Sequence, residues 1–219
     1  MSDAKASEKT IGRLSTYRRL LLRSTLSGQT SVYSYQIAAL AGATPAQVRR
    51  DLMAIGYSGS PNKGYKVDEL VASIGEFLDN PVGENVCLIG VGNLGRAILS
   101  YFTGRRPRLA IVAAFDIAES KVNRTIHGCR CYPLDELAAV VKRENIHVAI
   151  ITTPADVAQA VAESLVEAGI RGILNFAPIS LRLPPGVFSG DIDMTTALEK
   201  VAYFARKIEG DRGTGVGEG

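Results

Sequence analysis

Residues Val86-Cys87-Leu88-Ile89-Gly90-Val91-Gly92-Asn93-Leu94-Gly95-Arg96-Ala97 carry the most specific chemistry in the chain. A short apolar run leads into glycines with the G-x-G-x-x-G spacing, and a helix-forming segment follows. In this arrangement the first glycine makes a tight turn, the second lets backbone approach a pyrophosphate, and the third lets the helix pack closely on the strand. The helix N-terminus directs free N–H groups and a partial positive charge at the same point. Asp116 closes the next apolar run, 21 residues beyond Gly95. A carboxylate there accepts hydrogen bonds from ribose hydroxyls and repels a 2′-phosphate, which favours NAD over NADP. Two alternatives stay open: the glycines serve only close packing, or the turn holds another adenine nucleotide such as coenzyme A.

A second chemistry lies upstream. Thr44-Pro45-Ala46-Gln47 has the pattern of a helix start, with Thr44 as N-cap, Pro45 at the first helical position and Gln47 completing a capping box. Val48, Leu52 and Ile55 then share one face, Arg50 lies nearly opposite, and Arg49 lies on the flank. Ala38, Gly42 and Val48 supply the small residue, turn glycine and apolar anchor of a helix-turn-helix. Guanidiniums projecting from such a helix suit phosphates and guanine edges. Lys63 and Lys66 follow on a turn-rich segment that resembles a wing. The formal net charge of +3 hides an asymmetry: residues 1–67 hold ten Lys/Arg against three Asp/Glu, and the remainder fifteen against nineteen. The positive excess is confined to the N-terminal third, which points to a polyanion partner for that part. The bland alternative is a solvated basic face on a helical bundle.

Catalytic and metal sets are sparse. Tyr203 and Lys207 have the spacing of short-chain dehydrogenases, but they lie on the last helix and the glycine loop has a different pattern. No Ser/His/Asp nucleophile set and no H-E-x-x-H occurs. The two histidines, His127 and His147, and three cysteines, Cys87, Cys129 and Cys131, form no C-x-x-C pair, so neither zinc nor a disulfide framework is expected. Cys129 and Cys131 flank Arg130 on an expected strand and share a face; packing explains them better than a thiol switch. No run approaches the roughly 20 apolar residues of a membrane helix. The N-terminus lacks a signal-peptide layout, so a cytoplasmic location is expected. An NAD-dependent oxidoreductase with an N-terminal interaction domain is the competing class.

These residues need elements to hold them. Helices are expected over about Glu8 to Ser27, Ser34 to Ala41, Thr44 to Ile55 and Asp68 to Asp79, with a small β-hairpin between Tyr57 and Tyr65. Asn80-Pro81-Val82-Gly83 marks a boundary. Beyond it, apolar runs at 86–91, 109–115, 147–151 and 171–174 alternate with helical stretches at about 93–102, 119–125, 134–144 and 154–168. That alternation predicts an α/β fold with a doubly wound parallel sheet covered on both faces. A last helix, about Met194 to Ile208, has an apolar stripe (Leu198, Val201, Ala202, Ala205, Ile208) that packs either on its own sheet or on a partner subunit. The expected domains are 1–80 (winged helix-turn-helix), 81–192 (Rossmann-like), 193–209 (dimerisation helix) and 210–219 (disordered tail).

From about Arg13 to Arg206 the chain resembles the redox-sensing transcriptional repressor family Rex. The resemblance rests on Thr44-Pro45-Ala46-Gln47-Val48-Arg49-Arg50-Asp51-Leu52, Lys63-Gly64-Tyr65, Gly90 to Gly95, Ala113-Ala114-Phe115-Asp116 and Gly172-Ile173-Leu174-Asn175-Phe176-Ala177-Pro178. It implies an NAD(H)-binding homodimer whose C-terminal helix crosses to the other subunit. Such proteins hold double-stranded operator DNA when NADH is scarce and release it when NADH binds. The implied cofactor residues are Gly90, Val91, Gly92, Asn93, Leu94, Gly95, Asp116, Lys121, Thr153, Pro154 and Phe176. The implied DNA contacts are Thr44, Gln47, Arg49, Arg50, Lys63 and Tyr65, and Tyr101 and Asp193 match positions that sense the nicotinamide state. No catalytic residue, metal or membrane partner is implied.

Overall fold

Apolar residues spaced three and four apart give the N-terminal third its helices, and glycines and short polar residues end them. The computed structural model describes residues 6–59, 64–104 and 108–213, which form two compact units divided between Val82 and Gly83. In the first unit, α1 (Glu8–Leu26), α2 (Ser34–Ala41), α3 (Pro45–Ala54) and α4 (Val67–Leu78) enclose one core. Leu14, Tyr17 and Leu21 of α1 meet Val48 and Leu52 of α3 and Leu70 and Ile74 of α4 there. α2 ends on Gly42 at φ +63°, a left-handed conformation that glycine adopts without a Cβ clash. The chain then turns directly into α3, which completes a helix-turn-helix.

Two local expectations change in this unit. Tyr65–Lys66 (β2) does not pair within the 57–65 segment; it pairs antiparallel with Ser31–Val32 (β1), a strand the sequence pattern did not predict. The longer-range pairing places Val32 in the core, which a local hairpin would leave outside. Residues 60–63, and with them Lys63, lie outside the described residues. At α3, Thr44 Oγ1 accepts the Gln47 N–H as expected, but the Gln47 side chain donates to Asp51 instead of closing a capping box.

The second unit is built on a seven-stranded sheet of order β5-β6-β4-β3-β7-β8-β9, where β3 is Glu84–Ile89, β4 Leu109–Asp116, β5 Thr125–Ile126, β6 Cys129–Pro133, β7 Ile146–Ile151, β8 Gly172–Asn175 and β9 Phe188–Asp191. Every pairing is parallel except β5 with β6. The first strand sits centrally with the chain winding outward both ways, which is the doubly wound, Rossmann-like order. α5 (Asn93–Phe102) covers one face, and α6 (Leu137–Arg143) and α7 (Ala155–Glu167) cover the other. Two apolar clusters accordingly line the two faces.

The stretch 119–125, expected as a helix, is a turn leading into β5. Asn123 at φ +61° interrupts any helix, and its N–H bonds the Cys131 carbonyl at 2.7 Å, fastening the segment along β6. β9 was not expected; it is a short edge strand following the Pro184-Pro185-Gly186 break. Cys87, Cys129 and Cys131 are buried and free, with Arg130 exposed between the last two. Burial pushes the Cys87 and Cys129 thiols up to about 12, and raises Cys131 as well.

α8 (Met194–Gly213) continues into the segment expected to be a tail. Its apolar stripe does not pack on its own sheet: Leu198, Val201 and Ile208 are 69, 67 and 56% exposed. Among the described residues, no helix is long and apolar enough to cross a membrane. No group of three or more His, Cys, Asp or Glu among them is placed to hold a metal ion.

Candidate functional site

The crevice between the C-terminal ends of β3 and β7 is where the winding of the sheet reverses, the place where open parallel sheets bind ligands. The glycine loop crosses it. Gly90 has φ +94°, and a Cβ there would meet the Thr152 carbonyl oxygen at 2.9 Å. A Cβ on Gly95 would collide with the Gly90 carbonyl oxygen. Both glycines are therefore fixed by the protein's own backbone. Gly92 differs: its φ is −79° and nothing lies within 4 Å of its Cβ position, so no intramolecular contact requires glycine. The space in front of it, at the N-terminus of α5, is open to a phosphate.

A cleft of about 620 Å³ opens beside this loop, within the range of small-ligand sites. Of the expected cofactor residues, Gly90, Gly92, Asp116, Lys121, Thr153 and Pro154 line it, with Ile117, Leu134 and Val157 adding apolar wall. Val91 is buried and takes part through its backbone N–H. Asn93 and Leu94 begin α5, Leu94 packing on the core. Phe176 packs against the same core and does not line the cleft; its N–H bonds the Ile151 carbonyl at 2.9 Å.

Asp116 ends β4 and is nearly buried. Its Oδ2 accepts from the Val91 N–H at 2.8 Å and Lys121 Nζ at 2.9 Å, and its Oδ1 from the Ala118 N–H at 2.9 Å. Burial pushes this carboxyl upward, but the three donors outweigh it and hold the group below the usual carboxylate range. A carboxylate offers about four acceptor positions, so one remains for a hydroxyl from the cleft. Thr153 Oγ1 is buried beside the cleft with no hydrogen-bond partner among the described residues. A buried hydroxyl left so is costly, and a ligand's polar edge would satisfy it. The open space at Gly92, the spare acceptor on Asp116 and the orphaned Thr153 hydroxyl fit a dinucleotide.

Sequence reasoning missed Thr152. Its Oγ1 donates at 2.6 Å to the Gly90 carbonyl, with the Ile89 carbonyl 3.1 Å away, stapling the loop across the crevice. No sequence pattern marks it, because its partners are backbone atoms. Asp51 was missed too. It is 2% exposed, and accepts from Arg13 Nε at 2.6 Å and Nη2 at 2.7 Å, Tyr17 Oη at 2.9 Å and Gln47 Nε2 at 2.9 Å. Burial alone would raise the Asp51 carboxyl, but these donors hold it below its ordinary value. Burial, then Asp51, pushes Tyr17 up to about 12.

The expected nucleic-acid residues divide by their engagement. Thr44 and Gln47 are committed to the cap and to Asp51. Arg49 Nη1 donates to Ser34 Oγ at 3.1 Å, and Tyr65 is half-buried against Tyr57 and the core. Arg50 is exposed with no hydrogen bond among the described residues, leaving its guanidinium available. Tyr101 is exposed on α5, edge-on to Phe102. Asp193 caps α8, accepting the Thr196 N–H at 2.9 Å and its hydroxyl at 2.6 Å, which with the Thr195 N–H lowers its carboxyl pKa.

Fold and site together define a class: a helix-turn-helix protein with a nucleotide-binding parallel-sheet domain. A model described as a CoA binding domain matches residues 83–179, and a putative DNA-binding protein N-terminus matches residues 5–52. The redox-sensing transcriptional repressor Rex of Desulforamulus reducens is 38% identical over 203 residues, covering 93% of this chain and 97% of that protein. The Rex of Carboxydothermus hydrogenoformans is 39% identical over 207 residues, covering 94% and 100%. The crystal structure of RSP, a Rex-family repressor, superposes with a TM-score of 0.86 at 29% identity, covering 96% of this chain and 99% of that one. RSP in complex with beta-NAD+ and operator DNA superposes with a TM-score of 0.85 at 29% identity, covering 97% and 98%. The chain belongs to the redox-sensing transcriptional repressor Rex family.

Proposed function

We propose that this chain is a cytoplasmic transcriptional repressor that reads the NADH/NAD+ ratio, holding operator DNA when NADH is low and releasing it when NADH binds. The observation that carries the nucleotide half is Gly92: glycine stands there facing open space, at the mouth of a cleft that also holds a carboxylate with an acceptor to spare. RSP, similar over nearly the whole chain, has been crystallised with beta-NADH and with beta-NAD+ plus operator DNA. The ionisable side chains lining the cleft, Asp116 and Lys121, are paired with each other. NADH has to bind the DNA-incompetent state better than the competent one, and by linkage operator DNA weakens NADH binding by the same factor. The apolar stripe of α8, bare within its own chain, supports a homodimer in which this helix crosses to the other subunit.

The deciding test is a gel shift on palindromic DNA. Binding that falls with salt and is relieved by NADH but not NADPH supports the proposal; steady NADH consumption with a small carbonyl compound would replace it with an oxidoreductase. Two substitutions separate the halves. Arg50→Ala is expected to weaken operator binding by about 1–3 kcal/mol while NADH titrates as in wild type. Asp116→Ala is expected to weaken NADH by about 1.5–3 kcal/mol, the range for bonds to a charged group, with operator binding retained in its absence. Unchanged operator affinity in the first, or unchanged NADH affinity in the second, removes that residue from its role.

A further inference from the structure

Asn175 is the last residue of β8 and is fully buried among apolar neighbours. An amide there costs stability unless every polar atom is bonded. All are, and none of the side chain's bonds goes to the sheet ladder itself. Oδ1 accepts the Ala177 N–H at 2.9 Å, and Nδ2 donates to the Ile179 carbonyl at 2.7 Å and to Asp191 Oδ1 at 2.9 Å. The Asn175 carbonyl accepts the Ile192 N–H at 2.8 Å.

These bonds reach in two directions. Phe176, the next residue, is tied to the Ile151 carbonyl, and Thr153 and Pro154, just beyond Ile151, form the cleft wall. In the other direction, Asp191 and Ile192 lead directly to Asp193, which caps α8. With its described side chains exposed, α8 has its direction set at that junction.

Resting on the reading of the cleft as an NADH site, we infer that Asn175 is a positioning residue that couples occupancy of the cleft to the β9–α8 junction, and that its bond to Asp191 carries the coupling. A shift of the Thr153–Pro154 wall moves Ile151 and Phe176, the Asn175 amide follows, and Asp191 is drawn with it. The position needs two donors and an acceptor in one short planar group, which asparagine supplies.

Asp191 is exposed, so its substitution tests the bond without emptying the core. The full chain is titrated with a palindromic operator fragment, with and without saturating NADH, as wild type, Asp191→Ala and Asp191→Asn. Asp191→Asn keeps an acceptor oxygen for Asn175 and loses only the charge; Asp191→Ala loses both. The inference expects Asp191→Ala to bind NADH and operator separately within about threefold of wild type, while the factor by which NADH weakens operator binding falls at least about fivefold, the lower end of usual allosteric couplings. Asp191→Asn is expected to keep the wild-type factor. Overturning results are an unchanged factor in Asp191→Ala, including a parallel loss of both affinities with a lower Tm, or equal loss in both variants. A wild-type chain whose operator binding ignores NADH overturns the functional reading first, before any variant is compared.

Discussion

Asp51→Ala is expected to destabilise the helix-turn-helix unit by about 3–5 kcal/mol, the usual cost of removing one partner from a buried ion pair. The carboxylate receives four donors, and its removal strands the Tyr17 hydroxyl in the core and the Arg13 guanidinium beside it. Arg13 retains partial access to water, so the loss should fall toward the lower end of that range. Urea unfolding followed by circular dichroism checks it. A lost or strongly shifted first transition is expected, with NADH binding by the second unit unchanged; a wild-type midpoint would mean the cluster contributes nothing net. The same cluster sets a pH dependence. Its folded carboxyl lies below the unfolded value near 3.9, so its stabilisation is complete above that value and fades as pH falls through the folded one.

Gly95→Ala is the second large expected effect. The added methyl would lie against the Gly90 carbonyl oxygen and 3.1 Å from Thr152 Oγ1, and that carbonyl is already held by Thr152. Backbone cannot yield as a flexible side chain does, so α5 must move off β3, at the 1–3 kcal/mol or more of an overpacked core. A helix N-terminus displaced by an ångström loses its aim at the phosphates, and NADH affinity is expected to fall by about 10- to 150-fold, the loss of a bond to a charged group. Gly92→Ala is the matched control. Its methyl points into open space, so the fold should keep its wild-type Tm while NADH affinity drops. Full NADH affinity in Gly92→Ala would show that no ligand backbone approaches there; a wild-type Tm and NADH affinity in Gly95→Ala would contradict the packing.

The residues of the cleft were legible because their signal is local. A strand, three glycines and an acid at the end of the next strand lie close along the chain, and all but the core-side residues Val91, Leu94, Gly95 and Phe176 and the exposed Asn93 line one crevice. α2 and α5 were equally plain, each bounded by a capping or glycine signal. β1 and β9 were not. One is two residues long with a single buried side chain, and the other is a four-residue edge strand containing Gly190, so neither carries an alternating pattern. The polar composition of 119–125 imitates a helix surface, while positive φ at Asn123 and His127 bends the segment into a hairpin. Asp51 looks like an ordinary acid on a basic helix; its partners on α1 lie 34 and 38 residues away, beyond any local pattern.

The three buried thiols have a consequence for the kind of signal this chain can receive. Oxidants act on thiolates that solvent can reach, and Cys87, Cys129 and Cys131 are held protonated inside the sheet. Peroxide or a disulfide would need to wait for the domain to open. In the folded domain these sulfurs are shielded, whereas the cleft stands open to a molecule that docks and departs without altering a side chain.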